Sequence, residues 1–320
     1  DPTDDTVRGW GTATGTAKWI GGVLGPDGHI WGVPFTSTSI LRLNPIEDSS
    51  ARVRILSGSS KWAGGVLGPN GMIYGIPRDS TTILKIDPSD DSVSTFGSLS
   101  GSAKWSGGVL GSNGMIYGIP RDSTTILKID TSDDSVSTFG SLSGSGKWAG
   151  GTANANGMIY GVPFTSTTIL KLDTSDDSTS TFGSFIGNAK WFGAVLAANE
   201  MIYCFPYRNG AVLAIRSSND ITYEFGSWGG DYRWVGGTLA IDGRICGIPR
   251  TATVVIRVDP SSFTADSFGT LSGTGKWLGG VLASNGAIYG IPYDSTTVLK
   301  IYGGFTAPNN LPLTRFWNKL

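Results

Sequence analysis

Along this chain apolar residues come in short bursts, each cut off by Gly, Pro, Asn, Asp or Ser. In residues 61–103, KWAGGVLG runs into Asn70-Gly71, MIYGIP follows, and the polar stretch RDST leads to TILKID, where apolar and charged positions interleave. A DPSDD bend then precedes SVSTFGSL. No segment holds a helical spacing over ten or more residues, so the pattern predicts four short strands and no helix. Asn-Gly between apolar runs predicts a hairpin with a type I′ turn, which needs positive φ at both central residues. DPSDD is rich in residues that stabilise tight bends. Pro77 cannot donate to a sheet ladder and is expected at the end of its strand.

The four-strand unit repeats. Trp19, Trp62, Trp105, Trp148, Trp191, Trp234 and Trp277 are each 43 residues apart, and residues 70–87 and 113–130 are letter-for-letter identical. Every copy has Lys or Arg before the Trp, Gly two residues after it, Ile at eleven and Pro at fifteen. Asp-Gly or Asn-Gly stands at eight and nine in every copy but the fifth, which has Asn199-Glu200. A fixed period of this length marks a repeat architecture. Seven units of four strands predict an all-β fold, a seven-bladed β-propeller with four-stranded blades. The ends complement one another: the last unit stops after three strands at Ile301, and DPTDDTVRGW matches a fourth strand without its first three. The N-terminal strand is therefore expected to join the last blade and close the ring, which removes an exposed sheet edge. The expected organisation is a propeller over residues 1–302, with residues 1–15 completing blade seven, and a tail over 303–320 outside the repeats.

The pattern resembles the short-repeat propellers of the YVTN and NHL types. It is similar to repeats of the form KWxGGVLxxNGxIYGIPxxSTxxLKID found in algal and protist proteins. The resemblance covers residues 1–302 and implies the propeller architecture. It implies no catalytic residue, because propellers host catalysis, glycan binding and scaffolding alike.

The Trp is expected to wedge between adjacent blades, and the Gly pair after it to let the innermost strands approach the axis. The loops before strand one and between strands two and three share one face, here called the top. Lys18, Lys61, Lys104, Lys147, Lys190, Arg233 and Lys276 are expected to form a basic ring there around the channel. The alternative is that each lysine stem packs on its Trp while the ammonium reaches solvent. The second-to-third loops add Arg78, Arg121, Arg208 and Arg250 with the aromatics Phe35, Phe164, Tyr207 and Tyr293. These top-face residues are the candidate ligand or partner site. The bottom hairpins carry acids: Glu47 and Asp48; Asp87, Asp90 and Asp91; Asp130, Asp133 and Asp134; Asp173, Asp176 and Asp177; and Asp1, Asp4 and Asp5. The molecule is thus expected to be basic above and acidic below, unless these Asp simply cap their turns.

Composition narrows the function. Lys plus Arg (24) and Asp plus Glu (25) nearly cancel, which gives no basic balance for nucleic acid. Gly is abundant at 48 residues, roughly twice the usual share of about 7%. No apolar run approaches the ~18 residues of a membrane-spanning helix. The chain opens without Met, which suggests a processed or trimmed chain, with secretion and an extracellular place the expected reason. Cys204 and Cys246 fall at adjacent rather than equivalent positions of neighbouring units and read as free, buried thiols. His29 is the single histidine, and no nucleophile elbow, Walker loop or zinc spacing occurs. No catalytic residue, metal ligand or cofactor is assigned. The leading expectation is a non-catalytic structural or protein-interaction propeller. A multivalent glycan-binding lectin using the top-face loops comes second and an enzyme at the channel mouth third. In the tail, Arg315, Phe316 and Trp317 could dock on another molecule; together with oppositely charged faces they suggest head-to-tail self-assembly, a homo-oligomer or a filament.

Overall fold

The computed structural model describes residues 5–302, which form seven four-stranded antiparallel sheets with no helix. In blade two the order from the axis outward is Trp62–Leu67, Ile73–Pro77, Ile83–Asp87 and Ser92–Phe96. Innermost strands of successive blades touch all the way around, so the sheets form a ring, a seven-bladed β-propeller. Every residue of the second strand, Ile73–Pro77, is buried, whereas the outermost strand alternates exposed and half-buried positions. Ring closure follows the complementary ends: Thr6–Trp10 pairs antiparallel with Val298–Tyr302 as the outermost strand of the last sheet. The second strands end on their Pro, which pairs with the Trp of the first strand, as Pro77 does with Trp62.

The first hairpin differs from the expected type I′ turn. Gly71 N donates to Gly68 O (3.0 Å) and Gly68 N to Met72 O (2.8 Å), so Pro69 and Asn70 occupy the turn and only Gly71 has positive φ, +81°. This is a turn followed by one left-handed residue, a three-residue hairpin loop. Pro69 holds φ negative at the first turn position. The Asn70 side chain then fixes the loop: Oδ1 accepts Met72 N (3.1 Å), and Nδ2 donates to Tyr74 Oη (2.9 Å) and to Thr131 O of the next blade (2.7 Å).

What holds the ring is the seam between blades. Seven clusters of buried apolar residues, one per seam, each join one blade to the next, and a Trp sits in each; a smaller eighth cluster of Ala149, Phe164 and Ala189 lies apart from them. Trp62, for example, packs with Val23, Trp31 and Val33 of blade one and with Ile73, Leu84 and Ile86 of its own. All seven indoles are at most 4% exposed, and each Nε1 donates to the carbonyl twenty residues on, such as Trp105 to Thr125 O at 2.9 Å. A buried Trp needs such a partner. At the axis the glycine two residues after each Trp takes positive φ, and the backbones nearly touch: a Cβ on Gly64 would lie 3.1 Å from Gly107 Cα. Only glycine fits there.

A second, polar clamp closes the outer part of six of the seven seams. The basic residue 23 positions after a Trp reaches the Asp 29 positions after the next Trp: Lys85 to Asp134 (2.5 Å), Lys128 to Asp177 (2.5 Å), Lys171 to Asp220 (2.7 Å) and Lys300 to Asp48 (2.5 Å); in blade seven, which the N-terminal strand completes, Asp5 takes the equivalent place and meets Arg257 (2.6 Å). Arg42 and Asp91 make the same pair. The Tyr of the second strand joins it, as Tyr74 Oη donates to Asp134 Oδ1 (3.1 Å). The seam between blades five and six alone departs: Ala214 stands for the cation and Phe263 for the Asp, and Phe263 packs on Tyr203, Tyr223 and Phe225 at 6.0, 6.1 and 5.9 Å. Both halves of the ion pair have changed together.

Two predictions follow from these positions. Arg54 takes φ +56° where the other copies place Gly11, Gly97, Gly140, Gly183, Gly226 and Gly269. Arg54→Gly should raise stability by about 1 kcal/mol, read as a higher urea midpoint, while Arg54→Ala should leave it unchanged. At the divergent seam, Ala214→Lys and Phe263→Asp should each destabilise, and the double variant should recover a coupling energy of about 1 kcal/mol. Additive effects in urea unfolding would show that the two positions do not form an equivalent pair.

Candidate functional site at the channel mouth

The residue directly after the Pro of each second strand turns inward at the top: Phe35, Arg78, Arg121, Phe164, Tyr207, Arg250 and Tyr293. These seven side chains follow one another around the mouth in a cycle, in ring or cation–π contact at every step but the one from Arg78 to Arg121. Arg78 lies 5.2 Å from the Phe35 ring centre and Arg121 5.2 Å from that of Phe164. Phe164 meets Tyr207 at 5.5 Å, Arg250 lies 5.6 Å from Tyr207 and 5.9 Å from Tyr293, and Tyr293 meets Phe35 at 6.2 Å. A guanidinium within about 6 Å of a ring centre gains cation–π attraction. Arg250 also donates from Nη1 to Tyr207 Oη (2.9 Å).

The cycle has two different sides. Arg78 and Arg121 are neighbours, so two like charges stand together. Burial, and after it the Arg78 charge, holds the Arg121 guanidinium below its ordinary value. The acids next along these loops, Asp79 and Asp122, accept from Ala103 N and Gly146 N, and the Asp122 charge raises Arg121 by less than burial and Arg78 lower it. Arg78 Nε is buried with no hydrogen-bond partner. The opposite side is aromatic: Phe192 packs on Phe164 and Tyr207 at 6.0 and 5.7 Å, and Tyr232 on Tyr207 at 5.1 Å. Arg208 forms a two-point pair with Asp231 (3.1 and 3.2 Å) and lies 5.2 Å from the Tyr232 ring. Burial pushes the Tyr207 and Tyr293 hydroxyls up.

The lysines before the tryptophans stand otherwise than a solvent-facing basic ring. Lys18, Lys61, Lys104, Lys147, Lys190 and Lys276 are 2–4% exposed. Their ammoniums end in cages of backbone carbonyls: Lys147 Nζ donates to Arg121 O (3.1 Å), Ser123 O (2.8 Å) and Gly144 O (2.8 Å). Two of these acceptors belong to the preceding blade, so each lysine is a seam fastener. Burial lowers all six, Lys276 to about 8. Arg233, the exception, lies 4.4 Å from the Trp234 ring and bonds Gly229 O.

On the bottom, the acids split by position. Asp48, Asp91, Asp134 and Asp177 serve the seam clamps. Asp87, Asp130 and Asp173 cap their own turns through Ser hydroxyls and N–H groups. His29 Nδ1 pairs with Asp27 (3.0 Å) in a bottom turn. Both cysteines are free and buried, and burial pushes the Cys246 thiol up to about 12. Among the described residues no group of three or more His, Cys, Asp or Glu gathers as for a metal ion. Asp1 and Asp4 lie outside the described residues, as do Arg315, Phe316 and Trp317. Phe192 and Tyr232 escaped the sequence reading; their signal is a large aromatic where other copies place smaller side chains, such as Ala63 and Ala103.

Residues 68–224 match the model of a family described as a repeat of unknown function (DUF6923). A search of the curated proteins finds no match. Among solved structures the chain is similar to a streptogramin B lyase, with TM-score 0.80 and 12% identity over 92% of this chain and 97% of that one. It is also similar to a catalytically inactive virginiamycin B lyase from Staphylococcus aureus with quinupristin, with TM-score 0.81 and 13% identity over 93% and 99%. The extracellular domain of a putative hybrid two-component system from B. thetaiotaomicron gives TM-score 0.67 and 9% identity over 94% of this chain and 42% of that one. At these identities the likeness is one of fold, and propellers of this shape carry varied roles. Among the described residues no helix is long and apolar enough to cross a membrane.

The carbonyl cages yield a test. Lys147→Met should cost about 3 kcal/mol in urea unfolding, because three buried carbonyls lose their donor. A lysine pointing into solvent would cost no more than about 0.5 kcal/mol.

Proposed function

We propose that this chain is a non-catalytic binding propeller that takes its partner on the top face, around the mouth cycle. One observation carries the reading. The repeat holds its Trp, axial Gly and Pro in every copy, yet the seven inward residues after the Pro vary among Phe, Tyr and Arg. Positions that build the ring are uniform, and the copies differ where their side chains meet at the mouth. Catalysis finds little support: His29 is held by Asp27 in a bottom turn, Asp231 is paired with Arg208, and Glu224 accepts from Asn209 at 3.5 Å.

The partner is a protein surface or a glycan. The aromatic side favours the glycan version, because Tyr207 is half-buried and Tyr232 38% exposed beside the Arg208–Asp231 pair. Ring faces next to a charged hydrogen-bonding pair suit a sugar, which offers C–H groups to one and hydroxyls to the other. The extracellular domains among the structural neighbours support an extracellular, secreted place. The self-assembly version rests on Arg315, Phe316 and Trp317 and on oppositely charged faces. The caged lysines and clamped aspartates weaken the second of these, since most of that charge is spent inside the ring.

An array of neutral and acidic glycans tests the site. The full chain should bind a subset, and the double variant Tyr207→Ala/Tyr232→Ala should lose at least about tenfold in apparent affinity. Asp87→Ala, on the opposite face, should bind as the parent does. Undiminished binding by the double variant, or equal loss in Asp87→Ala, would move the site off the top face.

A further inference from the structure

We infer that the Arg78–Arg121 side of the mouth is a binding site for one tetrahedral oxyanion, a sulfate or phosphate group; this rests on the top face being the binding face. The two guanidiniums are neighbours in the cycle: Lys104 N donates to Arg78 O (3.0 Å) and Arg121 N to Lys104 O (2.9 Å), so a single buried residue ties their backbones together. Each is braced by an aromatic ring on its outer flank, Phe35 and Phe164, at the same 5.2 Å. Their positions are therefore set before any ligand arrives. The nearby carboxylates, Asp79 and Asp122, accept from backbone N–H groups and form no direct ion pair with either guanidinium; the Asp122 charge offsets only part of the burial and Arg78 repulsion at Arg121. Arg78 Nε is buried without an acceptor.

Two like charges held side by side repel one another, and an unpaired buried donor carries a desolvation cost. A single oxyanion between them removes both penalties. Guanidinium forks match the oxygens of sulfate and phosphate in pairs, and a dianion balances two cations where one carboxylate balances only one. Arg250 contributes less, because its Nη1 is committed to Tyr207 Oη. The six lysines contribute nothing direct, because their ammoniums are caged below the surface.

Calorimetric titration of the full chain with sodium sulfate and sodium phosphate, against sodium chloride at matched ionic strength, tests the site. Saturable one-to-one binding is expected for the oxyanions alone. Arg121→Phe places at this position the residue that blades one and four already carry there, so the ring can accept it, and it should weaken binding at least about tenfold. Arg216→Gln, which removes an exposed cation elsewhere, should bind as the parent does. Glucose 6-sulfate and glucose 6-phosphate then decide which ester the site prefers, and binding of either that Arg121→Phe weakens supports it. No heat beyond the chloride control, undiminished binding by Arg121→Phe, or equal loss in Arg216→Gln would overturn the inference. Oxyanion binding with a silent glycan array would keep this site and remove the glycan reading. Array binding with no oxyanion response would do the reverse.

Discussion

No blade of this protein can cover its own two faces; each is finished by the blades beside it. A four-stranded sheet is apolar on both sides here, and the only apolar surface available to it is another copy. The seam is therefore the constraint from which the rest follows. It must recur at one angle seven times for the ring to close, which holds the packed strands to one spacing in every copy. The indole fills the gap, the axial glycine lets backbones meet, and a buried lysine ties each blade to the loop of the one before. Closure by the N-terminal strand ends the series without a free edge.

The same constraint decides where charge can do something other than hold the ring. Six lysines and most of the paired aspartates are absorbed by the seams. What lies beyond the seams is the turn caps of the bottom face and the mouth cycle of the top. Turn caps repeat with little change, as in Asp87, Asp130 and Asp173, and their partners are the serines of their own turns. The mouth cycle is where side chains from all seven blades converge and differ. That contrast makes the mouth, rather than the net charge of either face, the informative surface.

The architecture was legible because its signals are one-dimensional. The Trp period, the Asn-Gly and Asp-Gly punctuation and the complementary ends require no knowledge of packing. Turn type was less so, since Asn70-Gly71 suits either hairpin; the same turn forms in blade three with Ser112 in place of Pro69, and what the two share is the Asn side chain reaching the next blade, Asn70 to Thr131 and Asn113 to Thr174, 61 residues away. The lysine cages were hidden for a similar reason. Local sequence shows a cation beside a Trp, but the carbonyls that enclose Lys147 come partly from Arg121 and Ser123, on the blade before. The mouth residues could be picked out one by one as loop cations and aromatics. Their arrangement in a cycle could not, because each contact joins residues of different blades, at least a full repeat apart in sequence.

The departures from the repeat are concentrated in blades five and six, and they tell against neutral drift spread evenly around the ring. Ala214 and Phe263 replace an ion pair on the bottom, Arg233 replaces the caged lysine, and Phe192 and Tyr232 enlarge the aromatic cluster on the top. The axis is uneven here as well: a Cβ on Gly193 would lie 2.6 Å from Gly236 Cα, the tightest approach in the ring, whereas one on Gly236 would meet nothing within 4 Å on the side of blade seven. A seam can lose its ion pair and stay closed if apolar packing takes over, and Phe263 on Tyr203 is that substitution in place. Once the seam is secured in this way, the top of blades five and six is free to carry bulk that the regular blades do not. The mouth then acquires an aromatic pole facing the arginine pole of blades two and three. A sevenfold scaffold with two unlike poles can orient a ligand, which a uniform ring of seven identical groups cannot.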